Sequence, residues 1–172
     1  MNAGGHGSDL AASLVEATIF DLVEGVEQVV TVDRLGLGFR SSGLGPHDVV
    51  LDATLQLQHG DADTSARLIS EIVAWRRANQ PGGQNAGSVF VNPVPGEVSA
   101  GALVDAAGLR GYRLGTATVS DKHANFIQAD DGGRADDVLA LMTHVRARVE
   151  ETSGFRLRSE IRLVGFDEGD VF

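Results

Sequence analysis

The sequence predicts an α+β protein with mixed sheets. Apolar residues recur at helical spacing in three segments, and β-rich or alternating stretches cluster before the first helix and again between later helices. No internal repeat is present. With 172 residues, of which 42% are hydrophobic, the chain is long enough to bury a core.

The first third of the chain is predicted to be β-structure. Two β-rich stretches, at about 14–22 and 26–32, flank Glu24-Gly25 and indicate a hairpin. A glycine-rich passage, 36–45, leads into residues 49–58, where apolar and polar residues alternate as in a half-buried strand. The alternating apolar residues are Leu51, Ala53, Leu55 and Leu57.

The middle of the chain contains the clearest helix signal. Between Asp63 and Asn79 apolar residues recur at helical spacing, and Pro81 follows the end. Residues 81–87 are rich in Gly, Gln and Asn, which predicts a loop and a boundary between an upstream and a downstream unit.

The last half alternates short strands and helices. Asp136 and Asp137 suit the positive N-terminal end of a helix predicted at 135–151, and Gly154 ends this helix. The predicted elements are a strand at 89–91, a helix at 100–107 ended by Gly108, strands at 116–119 and 125–128, a helix at 135–151 and a strand at 155–164.

Composition excludes several classes of function. A formal net charge of −10 disfavours general nucleic-acid binding. The absence of cysteine excludes disulfides and thiolate metal sites, and is compatible with a reducing cytoplasm. No apolar run is long enough to cross a bilayer, and no secretory signal follows Met1, so we expect a cytoplasmic protein without membrane association.

Ser88 is the first candidate for chemistry. It lies in Asn85-Ala86-Gly87-Ser88-Val89-Phe90, where small residues bring the backbone close to a neighbour and present one hydroxyl at the edge of a strand. A plain turn, in which Ser88 satisfies its own backbone, is the commoner explanation of this motif taken alone.

Charged residues supply the second candidate. Glu160 and Arg162 share one face of the predicted last strand, because strand side chains repeat every second residue. Such a pair can hold a proton and an anion side by side, although a surface ion pair is the commoner use. Arg40 lies in an otherwise uncharged glycine-rich loop, facing either a ligand or solvent.

Other kinds of site find no support. The five histidines show no metal-ligand spacing, so no metal is expected. There is no G-x-G-x-x-G opening a βαβ unit, no Walker A sequence and no G-x-S-x-G elbow.

Seven short motifs, in order, resemble the UDP-N-acetylenolpyruvoylglucosamine reductase (MurB) family. Each is weak alone, but their order and spacing make the resemblance specific, and it runs from one end of the chain to the other. They are MNAGGHG at 1–7, GFRSS at 38–42, RRANQP at 76–81, GSVFVNP at 87–93, AAGLRGYRLG at 106–115, VSDKHANFI at 119–127 and SEIRLVG at 159–165.

The resemblance implies the C-terminal portion of a flavoenzyme, without the N-terminal segment that cradles the FAD pyrophosphate. NADPH reduces FAD, which then reduces the enolpyruvyl group of a UDP-sugar to give UDP-N-acetylmuramate. Residues 1–60 are then the end of the partial FAD-binding domain, 61–155 the α+β substrate-binding domain and 156–172 a strand returning to the FAD domain. The missing half is either supplied by a separate chain or lost from the record of the gene, and open strand edges would favour self-association.

The resemblance also assigns residues to roles. Ser88 matches the serine that protonates the substrate carbon, while Arg40 and Glu160 match the groups that polarise its carboxylate. Phe39 and Val91 depart from the tyrosine and lysine common in the family. The substrate-binding matches are Arg77, Gln80, Asn92, Lys122 and His123, and the cofactor-binding matches are Asn2, Gly4 and Arg162. The alternative function is a non-catalytic remnant or a UDP-sugar-binding module unable to hold flavin.

Overall fold

A computed structural model describes residues 2–166 as two compact units that divide at Ile72–Val73. The α+β class is confirmed, whereas the mixed sheets were not found, because every strand pairing among the described residues is antiparallel. The strands are β1 (Gly4–Gly5), β2 (Ser8–Asp9), β3 (Leu14–Asp21), β4 (Val26–Thr31), β5 (Asp48–Leu55), β6 (Gln84–Ser88), β7 (Arg113–Leu114), β8 (Ala117–Val119) and β9 (Phe126–Ala129). The helices are α1 (Ala62–Asn79), α2 (Ala100–Ala106) and α3 (Ala135–Ser153).

The first unit is built on an antiparallel sheet in the order β4-β3-β5. The predicted hairpin is confirmed, and Gly25 makes its turn with a φ of 68°. A small core of Leu14, Ala17, Ile19 and Leu35 lies against β3. A second hairpin, β1–β2, turns at His6 and Gly7, whose φ values of 53° and 84° are those of a tight two-residue connection.

The prediction that 49–58 is half-buried was wrong, although the strand itself is present. Leu51, Leu55 and Leu57 are 50%, 47% and 71% exposed. β5 is an edge strand, and β3 is its only pairing partner among the described residues. The alternating pattern therefore does mark a strand, but no described residues of the first unit bury its apolar side chains.

The second unit holds the larger core. Its sheet has the order β6-β9-β8-β7, α3 packs against β7 and β8, and α2 packs against α3, with fourteen buried residues in the shared core. Leu141, Met142, Val145 and Val149 form the buried face of α3. Gly154 ends the helix with a φ of 74°.

Two strand predictions for the second unit were wrong. The strand placed at 89–91 lies earlier, at Gln84–Ser88, within the segment predicted to be a loop. Residues 155–164 form no named strand, because their only ladder contact within residues 2–166 is a single bridge from Ser159 to Phe90. They run extended, with Leu157 1% exposed in the core of the second unit. Residues 167–172 of the predicted returning strand lie outside the described residues.

Candidate functional site

A bulge at the end of β6 sets the direction of Ser88. Asn85 pairs with Gln128 and Ser88 pairs with Phe126, so β6 has one more residue than β9 between the two pairs. Gly87 lies in this bulge with a φ of 82°, a conformation that favours glycine. Bulges re-aim the next side chain, which gives Ser88 an orientation that a regular strand would not.

Glu160 lies on the backbone segment beside Ser88. The Glu160 amide donates to the Val89 carbonyl at 2.8 Å, and the Val91 amide donates to the Arg158 carbonyl at 2.9 Å. Ser88 and Glu160 are both half-buried. The second unit thus brings these two predicted residues onto paired segments, while Arg162 lies two residues further along and is exposed.

Asn125 holds these paired segments from the other side, and sequence reasoning did not single it out. Its side chain is 5% exposed, accepts from the Phe90 amide at 2.9 Å and donates to the Phe90 carbonyl at 2.8 Å. Its own carbonyl accepts from the Val89 amide at 2.8 Å. The available signal was its place inside the VSDKHANFI motif.

A tight loop presents Lys122 and His123 to a cleft of about 310 Å³. The buried Ser120 hydroxyl oxygen accepts from the Lys122 amide at 3.1 Å and from the His123 amide at 3.4 Å. Burial lowers the pKa of His123 below 6.5, and the nearby charge of Arg110 lowers it further. The neutral form of the imidazole therefore predominates at pH 7.

Arg110 forms the charged wall of the same cleft, another residue that sequence reasoning missed. Its guanidinium makes a bidentate pair with Asp105, at 2.6 and 3.0 Å, and donates to the Asp121 carbonyl at 2.7 Å. The Arg110 hydrogen bonds lower the pKa of Asp105. This arrangement ties α2 to the loop that carries Lys122.

Arg77, Gln80 and Asn92 have structural contacts of their own. The Lys122 ammonium group donates a hydrogen bond to the Arg77 carbonyl in the last turn of α1. The Gln80 backbone N–H donates to the Arg76 carbonyl at 2.8 Å. The Asn92 side-chain oxygen accepts from the Ala100 amide at 3.0 Å and so satisfies a backbone N–H in the first turn of α2, whose N-cap residue is Ser99.

The first unit contains Arg40 in a separate cleft of about 420 Å³. Arg40 has a φ of 51°, its guanidinium lies 4.9 Å from the Phe39 ring centroid, and Nη2 donates to the Gly4 carbonyl at 2.9 Å. A left-handed non-glycine residue is uncommon and marks a locally constrained loop. The loop and the β1–β2 hairpin therefore line one cleft.

Asn2 and Gly4 give the hairpin its shape. The buried Asn2 side chain donates to Asp9 Oδ2 at 2.9 Å and accepts from the Ala11 amide at 2.9 Å. A Cβ atom on Gly4 would lie 2.7 Å from the Asp9 Cβ, so only glycine permits this approach. The Gly4 backbone lines the cleft together with Arg40.

Three groups of predicted residues are thus assembled: Ser88 with Glu160, Lys122 with His123, and Arg40 with Asn2 and Gly4. Within residues 2–166, no three metal-ligating side chains lie close enough to hold an ion. None of the described helices is long and apolar enough to cross a membrane.

Comparison with known proteins identifies the family. Residues 78–164 match the C-terminal domain of UDP-N-acetylenolpyruvoylglucosamine reductase. The reductase of Heliobacterium modesticaldum is 40% identical over 99% of this chain and 54% of its own length, and that of Bacillus subtilis is 36% identical over 96% and 54%. The crystal structure of the Thermus caldophilus enzyme (MurB) superposes with a TM-score of 0.80, at 34% identity, over 94% of this chain and 57% of that one.

The match extends well beyond the family domain and includes both units of the fold. This chain spans about half the length of the curated relatives that it matches. The fold, the order of the motifs and the comparisons agree, and the chain belongs to the UDP-N-acetylenolpyruvoylglucosamine reductase (MurB) family.

Proposed function

We propose that this chain takes part in the reduction of enolpyruvyl-UDP-N-acetylglucosamine to UDP-N-acetylmuramate, a step of peptidoglycan precursor synthesis in the cytoplasm. The reaction is an oxidoreduction that uses NADPH and FAD. The observation that supports it best is the pairing of the Ser88 and Glu160 segments within a chain of this reductase family.

The first unit has features that suit part of an anionic flavin cofactor. Backbone groups of the β1–β2 hairpin line a cleft together with Arg40, and backbone N–H groups suit anionic oxygens. Gly4 would contact the cofactor directly, whereas Asn2 would hold the hairpin that does so. FAD, when bound, takes a hydride from NADPH and supplies it to the substrate double bond.

Ser88 completes the reduction by donating a proton. Hydride addition at one carbon of the double bond leaves negative charge at the other carbon, and the Ser88 hydroxyl is proposed to protonate that carbon. A serine hydroxyl is a poor acid in water, so the developing charge must be stabilised at the same time. Glu160 and Arg40 are proposed to polarise the substrate carboxylate for this purpose.

The cleft beside Lys122 and His123 is proposed to take the UDP-sugar. Lys122 provides charge for the diphosphate, and the neutral His123 provides a hydrogen bond without charge. Arg77, Gln80 and Asn92 border this region along the chain. Arg162 remains a proposed cofactor contact.

The domain assignment and the partner are proposals as well. We assign 1–60 to a FAD-binding domain, 61–155 to the substrate-binding domain and 156–172 to a strand of the former. The exposed apolar residues of β5 and α1 support a requirement for further polypeptide, either a complementary half or a second copy of this chain.

Titration of the purified chain with FAD, followed by an NADPH oxidation assay, tests the proposal. We expect saturable flavin binding and NADPH oxidation that depends on enolpyruvyl-UDP-N-acetylglucosamine. Binding of UDP-N-acetylmuramate without flavin binding would instead support the UDP-sugar-binding module. Binding of neither would support a non-catalytic remnant.

A further inference from the structure

We propose that Asn125 is a positioning residue that sets the geometry between Ser88 and Glu160. This inference rests on the proposed function, because it concerns the two residues assigned there to proton transfer and charge stabilisation. It adds a buried residue whose described hydrogen bonds to these segments are made with their backbone.

The need for a positioning residue follows from the bulge in β6. The regular ladder to β9 is interrupted between Asn85 and Ser88, and Gly87 in between adopts a left-handed conformation. Glycine is the residue that restricts its backbone least. The ladder before the bulge therefore fixes Ser88 poorly, and its position depends on what holds the residues that follow.

Asn125 supplies that restraint. Its buried side chain both accepts from and donates to the Phe90 backbone, and its carbonyl accepts from the Val89 amide. A primary amide offers a donor and an acceptor in one plane, which a carboxylate or a hydroxyl of the same reach does not. The two residues after Ser88 are thus held by three hydrogen bonds from one residue.

The restraint extends directly to Glu160. The Val89 carbonyl accepts from the Glu160 amide at 2.8 Å, and Phe90 forms a bridge with Ser159. Val89 and Phe90 lie between Asn125 and the Glu160 segment, and both are almost completely buried. Loss of the Asn125 amide would therefore move Ser88 and Glu160 relative to each other.

The informative variant is Asn125→Asp, which keeps the size and the acceptor but removes the N–H group that donates to the Phe90 carbonyl. The matched control is Val145→Ala, which removes buried methyl groups of α3 from the same core but removes no hydrogen bond to either segment. Asn125→Ser replaces Asn125→Asp if the latter does not fold.

The first readout separates the two stages of the reaction in the flavin-loaded protein. We expect Asn125→Asp to slow flavin reoxidation by substrate about 100-fold, since small displacements of reacting groups have effects of that size, and to leave flavin reduction by NADPH unchanged. An equal loss in both stages, or an equal loss in Val145→Ala, would overturn the positioning role.

The second readout does not depend on activity. Hydrogen exchange measured by NMR should be about 10-fold faster at the Glu160 amide in Asn125→Asp than in Val145→Ala, because local opening frees that hydrogen bond. Equal Glu160 exchange in the two variants would overturn the proposal. A wild-type protein without substrate-dependent reoxidation would refute the proposed function instead, and the exchange result would still decide the role of Asn125.

Discussion

Asp137 connects α3 to the turn between β7 and β8 through one carboxylate oxygen. That oxygen accepts from the Thr116 hydroxyl at 2.7 Å and from the Thr116 amide at 2.8 Å. Gly115 allows the approach, since a Cβ atom there would lie 2.5 Å from the Asp137 carboxyl carbon. The Thr116 hydroxyl, and then its amide, hold the pKa of Asp137 below its ordinary value of 3.8.

This lowered pKa predicts how the stability of the protein depends on pH. Because the folded state binds the Asp137 proton less tightly than the unfolded state does, the carboxylate stabilises the fold above pH 3.8, and this stabilisation is lost as the pH falls through the folded pKa. Asp137→Asn should lower the urea midpoint at pH 7, and its difference from wild type should shrink below pH 3.8.

The neighbouring Asp136→Asn is the control for that experiment. Its carboxylate forms an exposed pair with Arg134, and exposed pairs contribute little to stability. Equal loss of stability in the two variants at pH 7, or a difference that does not depend on pH, would show that the Thr116 hydrogen bonds do not stabilise the ionised form.

Side-chain contacts of this kind were only partly predictable. The sequence placed Asp137 at a helix N-terminus, where any acidic residue is favoured, but the contact with Thr116 depends on a turn twenty-one residues away. The contact of Asn125 with Phe90 could not be predicted either, because the two residues are thirty-five positions apart in the sequence. Family motifs marked both the Ser88 and Asn125 segments without indicating that they touch.

At the scale of elements, β6 shows how a bulge places a candidate catalytic side chain. Gly87→Ala should destabilise the protein by about 1–2 kcal/mol, because an alanine in the left-handed region is strained. No atom lies within 4 Å of the position of the new Cβ, so steric overlap would not contribute. Urea denaturation measures the loss.

Gly82→Ala is the matched control for this strain. It also has nothing within 4 Å of the new Cβ, but its φ lies outside the left-handed range. We expect no loss of stability, since alanine reduces the freedom of the unfolded chain. A similar loss in both variants would mean that the φ of Gly87 is not the cause.

The elements differ in how far the sequence predicted them. The three helices and the first hairpin follow from local periodicity and turn residues, and all were found within a few residues of their predicted ends. β6 was missed because Gln-Asn-Ala-Gly-Ser has little β-propensity and pairs with the distant β9. The alternation at 155–164 reflects one-sided burial of an extended segment, which has the same period as a strand.

For the whole molecule, burial is unequal between the two units. Fourteen buried residues form the core of the second unit, whereas four form that of the first. Most of the exposed large hydrophobic side chains lie in the first unit, on its sheet and on α1. Because buried apolar area is the main source of stability, the first unit of this chain should be the less stable one.

Hydrogen–deuterium exchange of the 172-residue chain measures this difference. We expect amides of β4 and β5 to exchange much faster than those of α3 and β9, because regions with few buried contacts open more often. Addition of FAD should slow exchange in the first unit if the cleft at Arg40 binds the cofactor. Equal protection of β5 and α3 in the isolated chain would contradict the unequal cores.

Ser88 is proposed to donate a proton to the substrate in a reductase of this family. The Ser88→Ala variant is the most direct test of this role. Stopped-flow absorbance of the flavin-loaded protein follows reduction by NADPH and then reoxidation by enolpyruvyl-UDP-N-acetylglucosamine. If Ser88 donates the proton, we expect unchanged reduction and reoxidation slowed by about 10²–10⁴-fold, the usual contribution of a proton donor. Reoxidation at the wild-type rate in Ser88→Ala would contradict it.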